Sequence, residues 1–576
     1  MRAPKISRSF ARFVAIRALM ALLLFMTLAA WSMGSAVGSS PDEDYVLTSI
    51  WCGTEGNPPY CRKDSDRPDF MILPTLIAEG SSCYLSQGQA SSAACQKPLV
   101  ELQNTPSSYS ASYEYNRGTY PHRYFDVARN LVSPFVEPSV VKIRLLNSLF
   151  AAVLIVATTS MLQRFKSDLF LAWLAVATPT TFYFIASVNT SSWTLFGATS
   201  FVIGLIALFQ TRHNKKAFLT SCVLTVLTVI FSISSRYEGK YILLLLALAL
   251  VVSKTLSNKR VHFSNLRKSL TYWLLCVSIF FIGRDLISDQ LNTFQLLRDS
   301  RLKWVALAFF ALLPMVSPTQ KLAKINRKYS VGIGSTVASL FLVYDQVSGS
   351  FIRIDILNDS RVEVDEGVRT TAFNLLLNNV INLPRFIMGF FGSWGLGWFE
   401  LEMTHTVWLL SLQAFLLTTV FALRKSSQLH RALFVAIFGV MCLAILYTNQ
   451  QTFTPIGQVI QPRYFLPFFL GIVIIAAANK TERYPNSLVI TVAILATISN
   501  SIALRDTIRR YTTGQDVLIS KSLNNPIEWW WQFGPQPETV WLAGTLAFAA
   551  LWAILIYDRN KEELNAPNSP APELAN

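Results

Sequence analysis

The chain has few charged residues for its length. Only 15% of its 576 residues are Asp, Glu, Lys or Arg, whereas 52% are hydrophobic. A soluble domain carries about a quarter charged residues, so this composition excludes an ordinary soluble globular protein. The apolar residues recur in blocks of about 17–22, each long enough to cross a hydrocarbon core roughly 30 Å thick. We therefore predict an all-α polytopic membrane protein.

Counting the apolar blocks predicts about 14 transmembrane helices, with about 12–14 as the range. The predicted spans are 13–33, 143–162, 169–188, 193–210, 217–234, 239–253, 269–283, 303–317, 330–347, 404–422, 432–449, 464–479, 486–504 and 539–557. Three of them, 239–253, 269–283 and 303–317, are short, so one of these is a candidate re-entrant segment. An even number of spans places both termini on the same side.

Lysine and arginine are absent from short loops such as 189–192 and 448–462, in an alternation that holds almost throughout the chain. The segments between these loops are basic, beginning with Arg2, Lys5, Arg8 and Arg12 and ending with Arg559 and Lys561. Because cytoplasmic loops keep the positive charges, we predict a multi-pass cell-membrane protein with both termini in the cytoplasm. The net charge of +16 then reflects topology, so we expect membrane lipid and no nucleic acid as a partner. The alternative for the first span is a cleaved signal peptide, which leaves the downstream orientation unchanged.

This topology divides the chain into six segments. They are 1–33, the cytoplasmic N-terminus and first transmembrane helix; 34–142, an extracytoplasmic loop domain; 143–347, transmembrane helices; 348–403, an extracytoplasmic loop; 404–557, transmembrane helices with an external loop at 505–538; and 558–576, a disordered cytoplasmic tail. Within 348–403, the apolar stretch Phe373 to Phe391 is interrupted by asparagines and Pro384. That pattern predicts an amphipathic helix in the outer interface.

Cysteine spacing argues against a zinc site in the first loop. Cys52, Cys61, Cys83 and Cys95 are separated by eight and eleven residues within each close pair, whereas zinc sites favour C-x2-4-C. An even number of cysteines in an oxidising compartment predicts two disulfides in this large loop, with the pairing left open. The other cysteines, Cys222, Cys276 and Cys442, lie singly in apolar spans and are predicted to pack there.

Three acids follow the first apolar span, in Ser40-Pro41-Asp42-Glu43-Asp44-Tyr45. Ser40 as N-cap with Glu43 three residues later resembles a capping box, so the acids could simply start a helix. The functional alternative is that one carboxylate accepts a proton from an attacking hydroxyl. Capping makes Glu43 the structural member and leaves Asp42 and Asp44 as the better candidates for chemistry. The same two could hold a divalent cation, Mg or Mn, through oxygen ligands.

Several short motifs resemble a known bacterial family. The stretches are Pro41-Asp42-Glu43-Asp44-Tyr45, Ser187-Val188-Asn189-Thr190, Leu396-Gly397-Trp398-Phe399-Glu400 and Gln461-Pro462-Arg463-Tyr464-Phe465-Leu466-Pro467. They resemble a polytopic membrane family of unknown function, domain of unknown function 2142, which is related to the GT-C glycosyltransferases. Pro462 stands where that family has glycine, whereas the acid two residues after Gly-Trp is kept as Glu400.

The resemblance implies a GT-C-like arrangement and transfer of a sugar from a polyprenyl-phosphate donor to a cell-envelope glycan or lipid-linked acceptor on the outer face. It implies Asp42, Glu43 and Asp44 as catalytic candidates. The substrate-binding candidates are Arg463, Tyr464, Arg236, Glu400, Trp398, His405 and Asn189. An arginine suits a phosphate because its fork of N–H donors contacts two oxygens. The alternative role for Arg463 is that of an interfacial anchor. The alternative for Arg236 is an ion pair with Glu238.

Two other function classes stay open from sequence. A transporter or flippase of lipid-linked glycans is one, although the spans show few clear mid-membrane charges. A non-catalytic protein that binds or scaffolds envelope polymers is the other. Tyrosines of the first loop, Tyr120 among them, suit carbohydrate rings or else form the core of a small loop domain.

Overall fold

The fold comes from a computed structural model, which describes residues 8–53, 56, 60–85, 91–101, 109–256, 372–401, 403–458, 460–515 and 522–564. The helices are α1 Arg8–Met33, α2 Glu43–Cys52, α3 Thr75–Ala78, α4 Gly80–Leu85, α5 Gln96–Glu101, α6 His122–Arg129, α7 Val136–Ser160, α8 Lys166–Val176, α9 Pro179–Ile185, α10 Ser191–Thr211, α11 Lys215–Ser235, α12 Gly239–Leu256, α13 Ala372–Met388, α14 His405–Arg424, α15 Gln428–Gln451, α16 Pro462–Ala478, α17 Asn486–Thr512 and α18 Pro537–Leu564.

The protein is a multi-pass helical membrane protein. In the part of the chain that the structure describes, 8 helices are long and apolar enough to cross a membrane, or up to 9 if one bent pair is a single span. A shorter apolar helix, α16, covers the predicted span 464–479. Three predicted spans, 269–283, 303–317 and 330–347, lie outside the described residues, so the predicted total of 14 and the GT-C-like arrangement stay predictions.

The predicted span 169–188 is two helices. The axes of α8 and α9 meet at 92°, at the break Ala177-Thr178. Pro179 begins α9, where its missing N–H breaks no helical hydrogen bond. The bend directs α9 toward the segment that follows α1, because the Tyr183 hydroxyl donates a 2.9 Å hydrogen bond to the Ser39 carbonyl.

Buried ion pairs connect several helices at one end of the bundle, which we call the charged end. Asp168 at the start of α8 accepts from Lys480 at 2.5 Å and from Arg559 of α18 at 2.9 Å. Arg17 of α1 pairs with Asp558 at 2.5 Å. The N-terminal half of α1 and the C-terminal end of α18 therefore lie at the same end of the bundle, as an even number of spans requires. The side of the membrane on which this end lies stays a prediction. The opposite end, where α1 leads into α2, is called the loop end.

The segment between α1 and α7 forms a small folded unit at the loop end. It contains a three-stranded antiparallel sheet of β1 Arg62–Lys63, β2 Met71–Pro74 and β3 Tyr109–Ser112, in that order. Disulfides join Cys52 to Cys61 and Cys83 to Cys95. The prediction of two disulfides is thus confirmed, and the structure supplies the pairing that the sequence left open. Cys222 and Cys442 are free and half-buried, and Cys276 lies outside the described residues.

The predicted interfacial segment forms the helix α13. Apolar side chains on one face are exposed, with Phe373 at 71% and Ile381 at 67%. On the other face Asn379 is fully buried, and both polar atoms of its side chain have partners. Its amide N–H donates to the Thr454 carbonyl at 3.2 Å, and its amide oxygen accepts from the Ile456 N–H at 2.8 Å. The asparagine that interrupts the apolar pattern thus fastens this helix to the loop before α16.

Helices α1 and α18 pack closely because a glycine lies between them. A Cβ added at Gly544 would lie 2.5 Å from the Ala30 Cβ and 2.9 Å from a Leu504 methyl. The Ala30 Cβ cannot rotate away, so a larger residue must push the two helices apart. Small residues allow this close approach of helices in lipid, where packing contacts drive association.

Gly544→Ala is expected to lower the free energy of unfolding by about 1–3 kcal/mol, because it overpacks the contact between α1 and α18. Gly439→Ala is the matched control, since nothing lies within 4 Å of a Cβ there. That control should be neutral or gain up to about 1 kcal/mol from helix propensity. Thermal unfolding of the two purified variants in one detergent measures the difference, and equal midpoints would contradict the packing described for Gly544.

Candidate functional site

The three acids lie where the chain turns from α1 into α2, but the cap differs from the one predicted. Helix α2 begins at Glu43, and Asp42 rather than Ser40 is its N-cap. The Glu43 carboxylate accepts the Ser40 N–H at 2.9 Å, which is one half of a capping box, whereas the Ser40 hydroxyl is buried without a partner. Asp42 has a φ of 65° in the left-handed region, which costs a non-glycine residue energy and is concentrated at functional sites.

Glu43 is fully enclosed by an ion pair. Its carboxylate accepts from Arg144 of α7 at 2.8 Å, and both side chains are 0% exposed. Arg144 also donates to the carbonyls of Ser32, Ser35 and Ala36 at 3.2, 2.7 and 2.7 Å. One guanidinium therefore fixes the whole turn from α1 to α2. Glu43 is enclosed on all sides, and its contacts with Arg144 and the Ser40 N–H are those of a residue that holds the turn.

Asp42 meets Arg463, although 421 residues separate them in sequence. The Arg463 Nη2 donates to Asp42 at 2.5 Å, and its Nη1 donates to the Pro41 carbonyl at 3.0 Å. The Asn189 amide donates to the same carbonyl at 2.7 Å. The Asp42 side chain is 36% exposed, whereas that of Arg463 is 1% exposed. Thus three of the resembled motifs come together, with the acid toward solvent and the cation behind it.

A second arginine lies beside this pair. The guanidinium carbon of Arg236 is 4.5 Å from the centre of the Tyr464 ring and 5.3 Å from that of Tyr120. The guanidinium of Arg463 is 5.0 Å from the same Tyr464 ring. Arg236 also pairs with Glu238 at 3.1 Å, as the sequence alternative proposed. Two cations therefore flank one tyrosine, and each has its own carboxylate.

Asp44 lies in the first turn of α2 and is partly buried. Burial raises the pKa of its carboxyl to about 6, against the lowering effect of the Tyr45 N–H, with Asp42 and Glu114 adding to the rise. The Tyr45 N–H donates to this carboxylate at 2.7 Å. A carboxylate with this pKa is deprotonated at neutral pH and is still a useful proton acceptor.

Trp398 contacts the segment that precedes the acids, whereas Glu400 contacts Tyr511 of α17. The Trp398 indole N–H donates to the Gly38 carbonyl at 2.8 Å. Glu400 accepts from the Tyr511 hydroxyl at 3.5 Å, and one of its oxygens is buried without a hydrogen bond. Burial raises the pKa of Glu400. Trp398 therefore supports the turn, and the described contacts of Trp398 and Glu400 do not include Asp42 or Asp44.

His405 is not brought to the acids. It begins α14 with an exposed side chain, and its ring lies 5.9 Å from that of Trp408. A divalent cation also fits these residues poorly. Within the described part of the chain, no group of three or more metal-ligating side chains comes together. The guanidinium of Arg463 already holds one of the two carboxylate oxygens of Asp42 and places a positive charge beside it.

Arg144 is the functional residue that the sequence interpretation missed. Its signal is present, because an arginine two residues into the predicted span 143–162 must find a partner. That partner is one of the three acids, which the sequence could not show since 101 residues separate Glu43 from Arg144.

A family model described as "Predicted membrane protein (DUF2142)" matches residues 24–472. The match begins inside α1 and ends inside α16, so it includes the acids, Asn189, Arg236, Glu400 and Arg463. No curated protein and no solved structure matches the chain.

Removing one member of the buried pair should be worse than removing both. Glu43→Gln or Arg144→Met alone is expected to lower the free energy of unfolding by about 3–5 kcal/mol, because the remaining charge stays buried without a partner. The double variant should recover part of that loss. Thermal unfolding in detergent measures all three, with the exposed Glu114→Gln as control. Additive losses in the double variant would contradict the pairing.

Proposed function

We propose that this chain, which belongs to the DUF2142 family of predicted membrane proteins, is a membrane glycosyltransferase. It transfers a sugar from a polyprenyl-phosphate donor to a cell-envelope glycan or lipid-linked acceptor on the outer face. The observation that carries this proposal is the contact of a half-exposed carboxylate, Asp42, with a buried arginine, Arg463, beside a second arginine. Glycosyl transfer from a lipid phosphate needs both kinds of group together: carboxylates that orient and deprotonate the acceptor hydroxyl, and cations that stabilise the leaving phosphate.

Asp42 and Asp44 have different roles toward the acceptor hydroxyl. Asp44 accepts the proton of the acceptor hydroxyl, because burial raises its pKa to about 6 and makes it a useful proton acceptor near neutral pH. Asp42 orients that hydroxyl, since Arg463 and the Pro41 carbonyl contacts fix its direction. The hydroxyl oxygen forms a bond to the anomeric carbon while the bond from that carbon to the phosphate oxygen breaks. The configuration at the anomeric carbon is inverted.

The arginines act on the leaving group. Negative charge grows on the lipid phosphate as the glycosidic bond breaks, and guanidinium groups fixed in a site of low polarity stabilise it strongly. Arg236 is the better candidate for direct contact with the phosphate, because Arg463 already donates to Asp42, to the Pro41 carbonyl and to the Tyr464 hydroxyl. Arg463 donates a hydrogen bond to the Tyr464 hydroxyl and holds Asp42 in position.

The strained backbone at Asp42 supports catalysis over scaffolding. A left-handed φ at a non-glycine residue persists only where the surroundings impose it, and here two distant side chains hold the preceding carbonyl. The predicted orientation adds to this, because nucleotide sugars are cytoplasmic and an outer-face transferase must use lipid-linked donors. We place the loop end on the outer face and both termini in the cytoplasm.

A donor screen tests the reaction. The purified protein in lipid vesicles is mixed with a panel of labelled polyprenyl-phosphate monosaccharides and an envelope glycan extract. Asp44→Asn should reduce transfer by about 10²–10⁴-fold, as expected for the loss of a general base. Asp66→Asn is the matched control, an exposed acid of the same loop segment that should keep full activity. Full activity in Asp42→Asn and Asp44→Asn would overturn the catalytic assignment, and translocation without transfer would favour a flippase.

The pH profile tests the role of Asp44 separately. Only the deprotonated carboxylate accepts a proton, so kcat/KM should rise with pH, reach half its maximum near the pKa of about 6 and level off above pH 7. The residual activity of Asp44→Asn should be flat across this range. A wild-type profile that does not change between pH 5 and 7 would exclude Asp44 as the base.

A further inference from the structure

We propose that Glu238 occupies the phosphate position at Arg236 and must leave it before an isoprenoid phosphate can bind. The inference deepens the proposed function, because it concerns the donor side of the same site. Its central step, however, is phosphate binding, which is measured without any sugar transfer.

Arg236 already presents a bidentate anion site. Its Nε and Nη2 donate to the two carboxylate oxygens of Glu238 at 3.4 and 3.1 Å. Its Nη1 donates to the Ser191 hydroxyl at 3.0 Å, which fixes the plane of the guanidinium. The fork that holds a carboxylate matches two oxygens of a phosphate equally well. A phosphate can therefore replace Glu238 without moving Arg236.

The surroundings of Arg236 favour an anion with a lipid tail. The arginine side chain is 7% exposed, whereas that of Glu238 is 46% exposed, so the carboxylate lies on the open side of the guanidinium. The rings of Tyr464 and Tyr120 lie beside the guanidinium, and aromatic neighbours strengthen its interactions by excluding water. Arg236 stands in the connection between two apolar helices, α11 and α12, so an anion bound there lies where an apolar tail can extend along these helices.

The local charge explains why a carboxylate has to leave. Arg236 and Arg463 flank Tyr464, and their partners Glu238 and Asp42 make the group neutral. A phosphate added to this neutral group would lie against two carboxylates. If one carboxylate swings away, the incoming phosphate instead meets an uncompensated guanidinium.

Glu238, not Asp42, is the carboxylate that can leave. Asp42 is a short side chain on a turn whose Pro41 carbonyl is held by Arg463 and Asn189. Glu238 has a longer, half-exposed side chain in the three-residue connection between α11 and α12. Its side-chain hydrogen bonds to other residues of the described chain all go to Arg236. Rotation of one side chain therefore opens the site.

Ligand binding tests the exchange directly. Farnesyl phosphate is titrated into the full-length protein in detergent, and binding is followed by intrinsic tryptophan fluorescence. Glu238→Gln should bind farnesyl phosphate about tenfold more tightly than the wild type, since the amide competes less well for Arg236. Glu238→Asp keeps the charge on a shorter side chain, and Glu114→Gln removes an exposed acid of the loop segment. Glu114→Gln should bind like the wild type.

Arg236→Gln should lose farnesyl phosphate binding, and Arg236→Lys should keep a weaker site, which covers the case in which the glutamine variant fails to fold. Farnesol and inorganic phosphate are the two partial ligands. Farnesyl phosphate should bind more tightly than either. Inorganic phosphate binding as tightly as farnesyl phosphate would overturn the lipid assignment in favour of a free-anion site.

The outcomes separate this inference from the proposed function. Tighter binding in Glu238→Gln without sugar transfer by any variant supports the phosphate exchange and argues against the transferase. Sugar transfer by the wild type, with unchanged donor KM and unchanged farnesyl phosphate binding in Glu238→Gln, overturns the exchange and leaves the transferase intact. The absence of farnesyl phosphate binding in both proteins also overturns the exchange.

Discussion

The buried ion pair between Glu43 and Arg144 is the interaction on which the loop end of the structure depends. Neither group contacts water, so each is stable only because the other is present. Arg144 also collects three backbone carbonyls from the end of α1 and the turn after it. Arg144 thus supplies the hydrogen bonds that water would otherwise give to the backbone carbonyls of this turn. The start of α2 at Glu43 is held by this pair, and Asp42, the residue before it, is held in addition by Arg463.

The site is assembled from parts that are distant in sequence, and this suits a reaction that needs fixed charges. Asn189 and Arg463 reach the Pro41 carbonyl from two different helix starts. Tyr464 lies between two guanidinium groups, one of which comes from the connection before α12. A side chain held from several directions needs little rearrangement when charge develops in a transition state. The same organisation leaves Glu238 as the least constrained charge of the group.

Much of the fold could be predicted from the sequence, because length and hydropathy alone mark helices such as α7 and α10. The pairing of Cys52 with Cys61 could not, since four cysteines allow three connectivities. The cap was predicted at Ser40 from local residue types, whereas the long-range contacts of Pro41 move the helix start to Glu43 and force Asp42 into the left-handed region. The resemblance implied Asp42 and Arg463 as candidate site residues, whereas the ion pair between them was not predicted. Arg144 was overlooked because it lies near the edge of an apolar span.

The network at the charged end has a consequence for how the protein is made. Asp168 finds its partners Lys480 and Arg559 only 312 and 391 residues later, and Arg17 waits 541 residues for Asp558. During synthesis these groups emerge in the order of the chain, so Asp168 can pair with Lys480 once α16 has been made, whereas Arg17 meets Asp558 only when α18 has been inserted. Helix α1 cannot reach its final packing before then. Insertion of α18 therefore completes the contacts of α1, the first helix of the chain.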